Sequence, residues 1–379
     1  MSFRCRQKLF GTLSTILLLA GACLPCSVSA QAGDYDHKVT ITSPAEVAAR
    51  RSQLIRYIWG TSSLPAGPPS RVVLNDNPPT SGLHHLARAD TLEITMALGE
   101  KGYAHHLTPK RPNKKLIIYS EGHDDNFEGT HDGRMIDEIL RNGYSVLLVY
   151  MPHMAYFTSK ELGVVANSVF RNNPSILSHD QMFAKLSPAS GSVLQFFLEP
   201  VAVSLNYLRQ HWQNDGFPKY TDFGMAGLSG GGWATTVYAA IDPSIRVSVP
   251  IAGSLPRYLS SPSASGDAEQ LVPGFYSIAG YLDLYLLGSY EPGRSQVQVL
   301  NRRDTCCFGE DQFYKANVTR KTSWSKAVRT YEREVRKRRP ARGGRFRVEI
   351  DESATFHEVS LNTVIKRIVG EMNRSRRAS

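Results

Sequence analysis

Cysteine is scarce. Of the five in 379 residues, Cys5, Cys23 and Cys26 fall within the first thirty, leaving only the adjacent pair Cys306-Cys307 for the rest of the chain. A disulfide-stapled scaffold is thereby excluded, and no C-x-x-C pair remains downstream to hold zinc. In an oxidising compartment the neighbouring thiols can join each other or another chain; otherwise they pack as two small apolar side chains. Long hydrophobic runs are few as well. Leu9 to Leu24 stops short of the roughly 20 residues a membrane span needs, and Pro25 follows it. With Arg4, Arg6 and Lys8 before it and Val28-Ser29-Ala30 after it, this run reads as an export signal cleaved after Ala30, which implies a secreted or periplasmic protein with no remaining span. An uncleaved anchor and a lipid-attached Cys23 are weaker readings; Ala20 stands where a lipid-attachment signal usually has Leu.

Acidic charge is short too, with 34 Asp and Glu against 44 Lys and Arg, and the imbalance is local. Residues 315–347 carry thirteen Lys or Arg against Glu332 and Glu334. Such a stripe attracts anionic polysaccharide, lipid head groups or acidic substrate, or is simply the solvated face of a helix. No nucleic-acid motif accompanies it, so DNA and RNA are not expected partners. A composition that is 41% hydrophobic and 21% charged excludes a disordered or multi-span chain.

The segment 31–85 reads as an N-terminal extension: a helix from Ser43 to Trp59, capped by Ser43 and Glu46 with Pro44 at its first position, then a Pro/Gly/Ser-rich surface connection from Leu64 to Thr80. Residues 86–379 read as one domain. Arg88–Met96 and Tyr103–Leu107 alternate as a hairpin around Gly99-Glu100-Lys101-Gly102. From Lys115 the pattern becomes short apolar runs separated by helical stretches, as parallel strands covered on both faces require. The runs are Leu116–Tyr119, Val146–Tyr150, Phe223–Ala226 and Val247–Ile251, with helices near 131–142, 193–212 and 232–241. Gln296–Leu300 and Phe346–Ile350 alternate polar with apolar, which predicts strands nearer a sheet edge with one wetter face. Two inserts interrupt the alternation. The first, 151–192, contains Tyr156, Phe157, Phe170 and Phe183 and reads either as a cap over a site or as a structural excursion; the second is the basic segment 315–345.

The chemical signal lies at Gly227-Leu228-Ser229-Gly230-Gly231-Gly232-Trp233. G-x-S-x-G is weak by itself, but here an apolar strand runs straight into it and a helix-forming run follows. That is the arrangement of a nucleophile elbow, in which a sharp turn lifts the serine above the sheet and aims the next helix's free N–H groups at the same spot.

From Arg88 to Met372 the chain resembles the α/β-hydrolase superfamily. The resemblance implies an α/β fold, with a mixed, mostly parallel sheet, helices on both faces and a cap-like insert. It also implies a triad in the chain order serine, acid, histidine. Ten of the eleven histidines precede Ser229; only His357 follows, just past the strand Phe346–Ile350 and before a helix from Ser360 to Met372. The matching place for the acid is the end of Gln296–Leu300, which points to Asp304, with Asp283 second and Asp351 third. The oxyanion donors implied are the backbone N–H of Gly230 and one from Ser120-Glu121-Gly122-His123, either Gly122 or His123. Glu121, His123, Asp124, Asp125, His131 and Asp132 also cluster in sequence, but without a recognised metal spacing, and neither a metal nor another cofactor is expected.

These features together predict an exported serine hydrolase that cleaves carboxylic esters, small or polysaccharide-linked, through an acyl-enzyme. A serine peptidase of the same fold and a non-catalytic envelope binding protein are the alternatives.

Overall fold

The computed structural model describes residues 37–76, 82–123, 131–152, 156–166, 173, 175–260, 267–316 and 321–374. The export-signal reading of residues 1–30 lies outside them.

Nine strands form one sheet: β1 (Arg71–Val73), β2 (Leu86–Thr95), β3 (Lys101–Pro109), β4 (Lys115–Ser120), β5 (Ser145–Val149), β8 (Asp222–Leu228), β9 (Ile245–Ile251), β10 (Ser295–Asn301) and β11 (Arg345–Asp351). β6 (Tyr156–Ser159) and β7 (Gly163–Ala166) pair separately as an antiparallel ribbon inside the 151–192 insert. The sheet order is β1-β2-β3-β5-β4-β8-β9-β10-β11. Its first part is antiparallel, from β1 through β2 and β3 to β5; from β5 onward every neighbour is parallel. The continuous apolar run of β4 is buried at every position, as expected of a strand covered on both faces.

After β4 the chain turns to β5 on one side, and after β5 it crosses back to β8 on the other. This reversal opens a crevice at the carboxyl ends of β4 and β8, the usual place for a ligand site in an open α/β sheet. The helix His131–Arg141 covers one face with Met135, Ile136, Ile139 and Leu140, apolar positions on a single helical stripe. The helix Gly230–Ile241 is buried along its whole length. It has to be apolar all round because it lies between the sheet and the helices Pro44–Trp59 and Tyr281–Gly288.

Pro44–Trp59 forms as its capping residues predict, with the Ser43 and Glu46 box closed and Gly60 ending it at φ 73°. Arg51 joins it to the core by donating to the carbonyl oxygens of Ala240 (2.9 Å) and Leu287 (2.8 Å) while pairing with Glu291. The described part of the 31–85 segment thus belongs to the compact unit Gly33–Ser379.

Two expectations need correction. Part of the stretch read as a surface connection, Arg71–Val73, adds an edge strand to β2. β10 lies next to the edge strand β11, as expected, but it has no wet face: it is buried at all but its first residue. Its alternating glutamines misled the pattern: Gln298 is buried, donating to the Ser254 carbonyl (2.7 Å) and accepting from the Tyr331 hydroxyl (3.1 Å). Hydrogen bonding inside the protein makes such burial tolerable. The basic helix Trp324–Arg338 turns Trp324, Val328, Tyr331 and Val335 inward, which explains its apolar residues.

Candidate active site

β8 ends at Leu228, and Ser229 turns the chain into the helix Gly230–Ile241 with φ 56° and ψ −124°. For a residue with a Cβ this is a strained conformation, costing on the order of 1–3 kcal/mol and found where surrounding structure enforces it. Enforcement comes from both sides. The Ser229 amide donates to the Ile251 carbonyl at the end of β9 (3.0 Å), and Trp233 N–H donates to the Ser229 carbonyl (2.9 Å). The glycines answer to close approach. A Cβ at Gly231 would collide with the Ser120 carbonyl at the end of β4, and one at Gly230 would lie 2.7 Å from Cε1 of the His123 ring. The elbow is thus pressed directly against the β4 loop. Ser229 is half-buried and its side chain does not cap the helix it precedes, which leaves the helix N–H groups for other acceptors.

Asp304 and His357 are brought together. His357 Nδ1 lies 3.0 Å from both carboxylate oxygens of Asp304. Since a carboxylate only accepts, Nδ1 carries the proton and Nε2 holds the lone pair. Among the described residues Nε2 is buried without a hydrogen-bond partner. The Asp304 carboxylate is fully buried, and its Oδ1 also accepts from the amides of Cys306 (2.8 Å) and Cys307 (3.0 Å). Cys306 and Cys307 form a disulfide between adjacent residues, so the loop that presents the acid is tied at its turn.

The loop carrying His357 is held by neighbours that sequence reasoning passed over or placed elsewhere. Asn301, the last residue of β10, donates from Nδ2 to the carbonyls of Phe356 (3.2 Å) and Glu358 (2.8 Å), clasping the backbone on either side of the histidine. Asp351, the third candidate acid, closes the loop's base instead: Oδ1 accepts from Ser353 N–H (2.7 Å), and Oδ2 from the hydroxyls of Ser360 and Thr363. Asp283, the second candidate, accepts from Thr40 N–H (2.7 Å) and Ile41 N–H (3.2 Å), pinning the start of the described chain. No spacing in the sequence marks Asn301, since its partners are main-chain carbonyls more than fifty residues away.

His123 and Gly122 lie at the carboxyl end of β4, beside Gly230. Of the charged cluster read around them, Asp124 and Asp125 lie outside the described residues, and Glu121 is buried. The His123 ring meets two residues no motif had joined to it: its Nε2 is 2.9 Å from His179 Nδ1 and 3.4 Å from Glu269 Oε1. Burial by itself would raise the Glu269 carboxyl, but the hydrogen bonds and charges of His123 and His179 outweigh it and hold the group well below the usual carboxylate range.

No protein-family model and no curated protein matches the chain. Among solved structures it is similar to acetyl xylan esterase 1 from Thermoanaerobacterium sp. JW/SL YS485, at 12% identity over 89% of this chain and 96% of that one, with a TM-score of 0.50. The Pf2001 esterase of Pyrococcus furiosus is 14% identical over 82% and 97%, with a TM-score of 0.45. Likeness at such identity concerns architecture. The chain has the α/β-hydrolase fold.

Proposed function

We propose that this α/β-hydrolase fold carries an exported serine hydrolase that cleaves carboxylic esters through an acyl-enzyme. The observation that carries the reading is His357, with its Nδ1 on a buried carboxylate and its Nε2, among the described residues, without a hydrogen-bond partner, on the same sheet edge as a serine held at positive φ. A serine hydroxyl is a poor nucleophile at neutral pH and needs a base. In this reading Nε2 takes the Ser229 proton as Oγ attacks the carbonyl, and returns it to the departing alcohol. Asp304 fixes the tautomer that leaves Nε2 basic and stabilises the imidazolium that forms. The N–H of Gly230 and one from Gly122 or His123 receive the oxyanion, assisted by the positive end of the Gly230–Ile241 helix. Water, activated by the same imidazole, then releases the acid. Substrates small enough to enter beneath the 151–192 insert, or esters borne on a polysaccharide, fit an exported enzyme; the basic face of Trp324–Arg338 would meet an anionic polymer.

The test is fluorophosphonate labelling of the purified protein beside its Ser229→Ala and His357→Ala variants. Labelling that both substitutions abolish, a loss on the order of 10⁵-fold or more, is expected. A folded wild type that stays unlabelled would return the chain to the non-catalytic reading. Turnover of amides in preference to short acyl esters would make it a peptidase.

A further inference from the structure

We propose that His123, His179 and Glu269 form a binding site for a zinc ion that fastens the 151–192 insert to the sheet edge beside the elbow. The three side chains come from distant segments. His123 follows β4, His179 opens the helix His179–Lys185 inside the insert, and Glu269 lies in the short helical turn Ala268–Gln270. Their ligand atoms all lie within 4.8 Å of one another. His123 Nε2 and His179 Nδ1 are 2.9 Å apart, His179 Nδ1 and Glu269 Oε2 3.0 Å, and His123 Nε2 and Glu269 Oε1 3.4 Å. A tetrahedral zinc with ligands at about 2.0–2.1 Å sets neighbouring ligand atoms about 3.3 Å apart. The cluster therefore has nearly the dimensions of one face of that tetrahedron.

Donor accounting points to a cation as well. His179 Nε2 faces the Pro152 carbonyl at 2.9 Å, and a carbonyl only accepts, so Nε2 bears the proton. In the neutral ring the lone pair then sits on Nδ1, directed between His123 Nε2 (2.9 Å) and Glu269 Oε2 (3.0 Å). Without a metal, His123 Nε2–H can fill that lone pair; a bound ion instead takes a lone pair from each of the three groups. A main-chain carbonyl on the other ring nitrogen is also the partner that commonly orients a metal-bound imidazole. Glu269 supplies a separate observation: its carboxylate is completely buried, and its two oxygens face the two imidazoles, Oε1 3.4 Å from His123 Nε2 and Oε2 3.0 Å from His179 Nδ1. A buried carboxylate is costly unless positive charge compensates it, and a bound cation supplies that charge. Asp267, with Oδ1 3.9 Å from His123 Nε2 and a side chain 43% exposed, stands on the solvent side near the fourth position.

The sequence predicts no metal because ligands at 123, 179 and 269 share no short spacing. The ion would hold His123 against Gly230, where the ring already lies, and so would set the shape of the β4 loop. The competing arrangement is a metal-free His179 imidazolium held between Glu269 and Pro152.

Untagged full-length protein is stripped with chelator, dialysed against zinc and assayed for metal content, with thermal unfolding followed in parallel. Retention of one zinc per chain is expected, with a rise in Tm that saturates at one equivalent, and cobalt in its place should give the visible absorption of a tetrahedral site. Glu269→Gln and the half-buried His123→Ala should each weaken binding at least 100-fold, and Asp267→Asn on the order of 10–100-fold, the usual range for an outer partner. Circular dichroism establishes that the variants are folded. Absence of retained zinc or equal retention by His123→Ala would overturn the assignment. Fluorophosphonate labelling of Ser229 reads the hydrolase proposal separately.

Discussion

Two aspartate–histidine pairs occupy opposite halves of the sheet. In the antiparallel half, Asp90 on β2 lies directly across from His106 on β3, with His106 Nδ1 3.1 Å from Asp90 Oδ2. In the parallel half, Asp304 and His357 follow β10 and β11 with the same Nδ1-to-carboxylate contact. The difference lies at the other ring nitrogen. His106 Nε2 is 2.5 Å from the Tyr220 hydroxyl, Arg88 Nε donates to Asp90 Oδ1 (2.7 Å), and both members of the pair are completely buried. Among the described residues His357 Nε2 has no such partner, and its side chain is 18% exposed. A carboxylate prepares an imidazole in both places, but only one of the two retains a nitrogen that can take a proton from something else.

Exchanging carboxylate for amide should separate the pairs most sharply. Asp304→Asn presents an amide to Nδ1 and disturbs the tautomer, so the rate of Ser229 labelling should fall about 10⁴-fold. Asp90→Asn breaks a buried network and should cost roughly 3–5 kcal/mol of stability in urea unfolding, while the folded fraction labels at the normal rate. If Asp90→Asn slowed labelling without lowering stability, or if Asp304→Asn labelled normally, the contrast would collapse.

A smaller effect is expected one step removed from the reacting groups. Asn301→Ala frees the backbone on both sides of His357 while leaving Asp304 and its Cys306 and Cys307 donors in place. Misplacement by about 1 Å can cost on the order of 100-fold, so a 10–100-fold loss in labelling rate is expected. The pH profile of labelling should keep its shape if Asn301 acts on position. A displaced profile would mean that it acts on the basicity of His357, contrary to this reading.

How much of this was legible in the sequence follows from how each feature is encoded. The elbow is local: strand, serine, glycines and helix are contiguous between Phe223 and Ala240, so the pattern carries its own context. Chain order singled out His357, because no other histidine follows Ser229, and the fold sets its ring on Asp304. The Asp90–His106 pair was hidden, although the hairpin bearing it was expected, because alternation gives the strands without stating which polar residues face inward. The wet face expected of β10 failed for the same reason, since Gln298 is buried and satisfied by partners that only the fold assembles. The His123, His179 and Glu269 cluster draws on three segments and has no periodic signature at all.

The gentlest test of the contrast uses pH on the antiparallel half, where buried histidines are held neutral. Burial pushes the His105 imidazole down to about 3, with the Asp76 charge only partly opposing it, and burial also lowers His106 against the pull of Asp90. A histidine with a depressed folded pKa binds a proton more readily when the chain is unfolded. Its contribution to stability is therefore complete above about pH 6.5 and declines as pH falls below that value. Asp90 adds to the trend at lower pH. Burial would raise its carboxyl, but hydrogen bonds from His106, Asn75 and Arg88 lower it, so its contribution is present above the unfolded carboxylate pKa and lost as pH falls through the folded one. For His105 alone the slope is about 1.4 kcal/mol per pH unit between 6.5 and 3. Urea unfolding from about pH 7 down to about pH 5 should show at least that loss, and His105→Gln should flatten the slope by about the same amount. A slope unchanged by His105→Gln would mean that His105 is not held neutral in the fold, and the antiparallel half would then lose its distinction as the place where imidazoles are kept from protons.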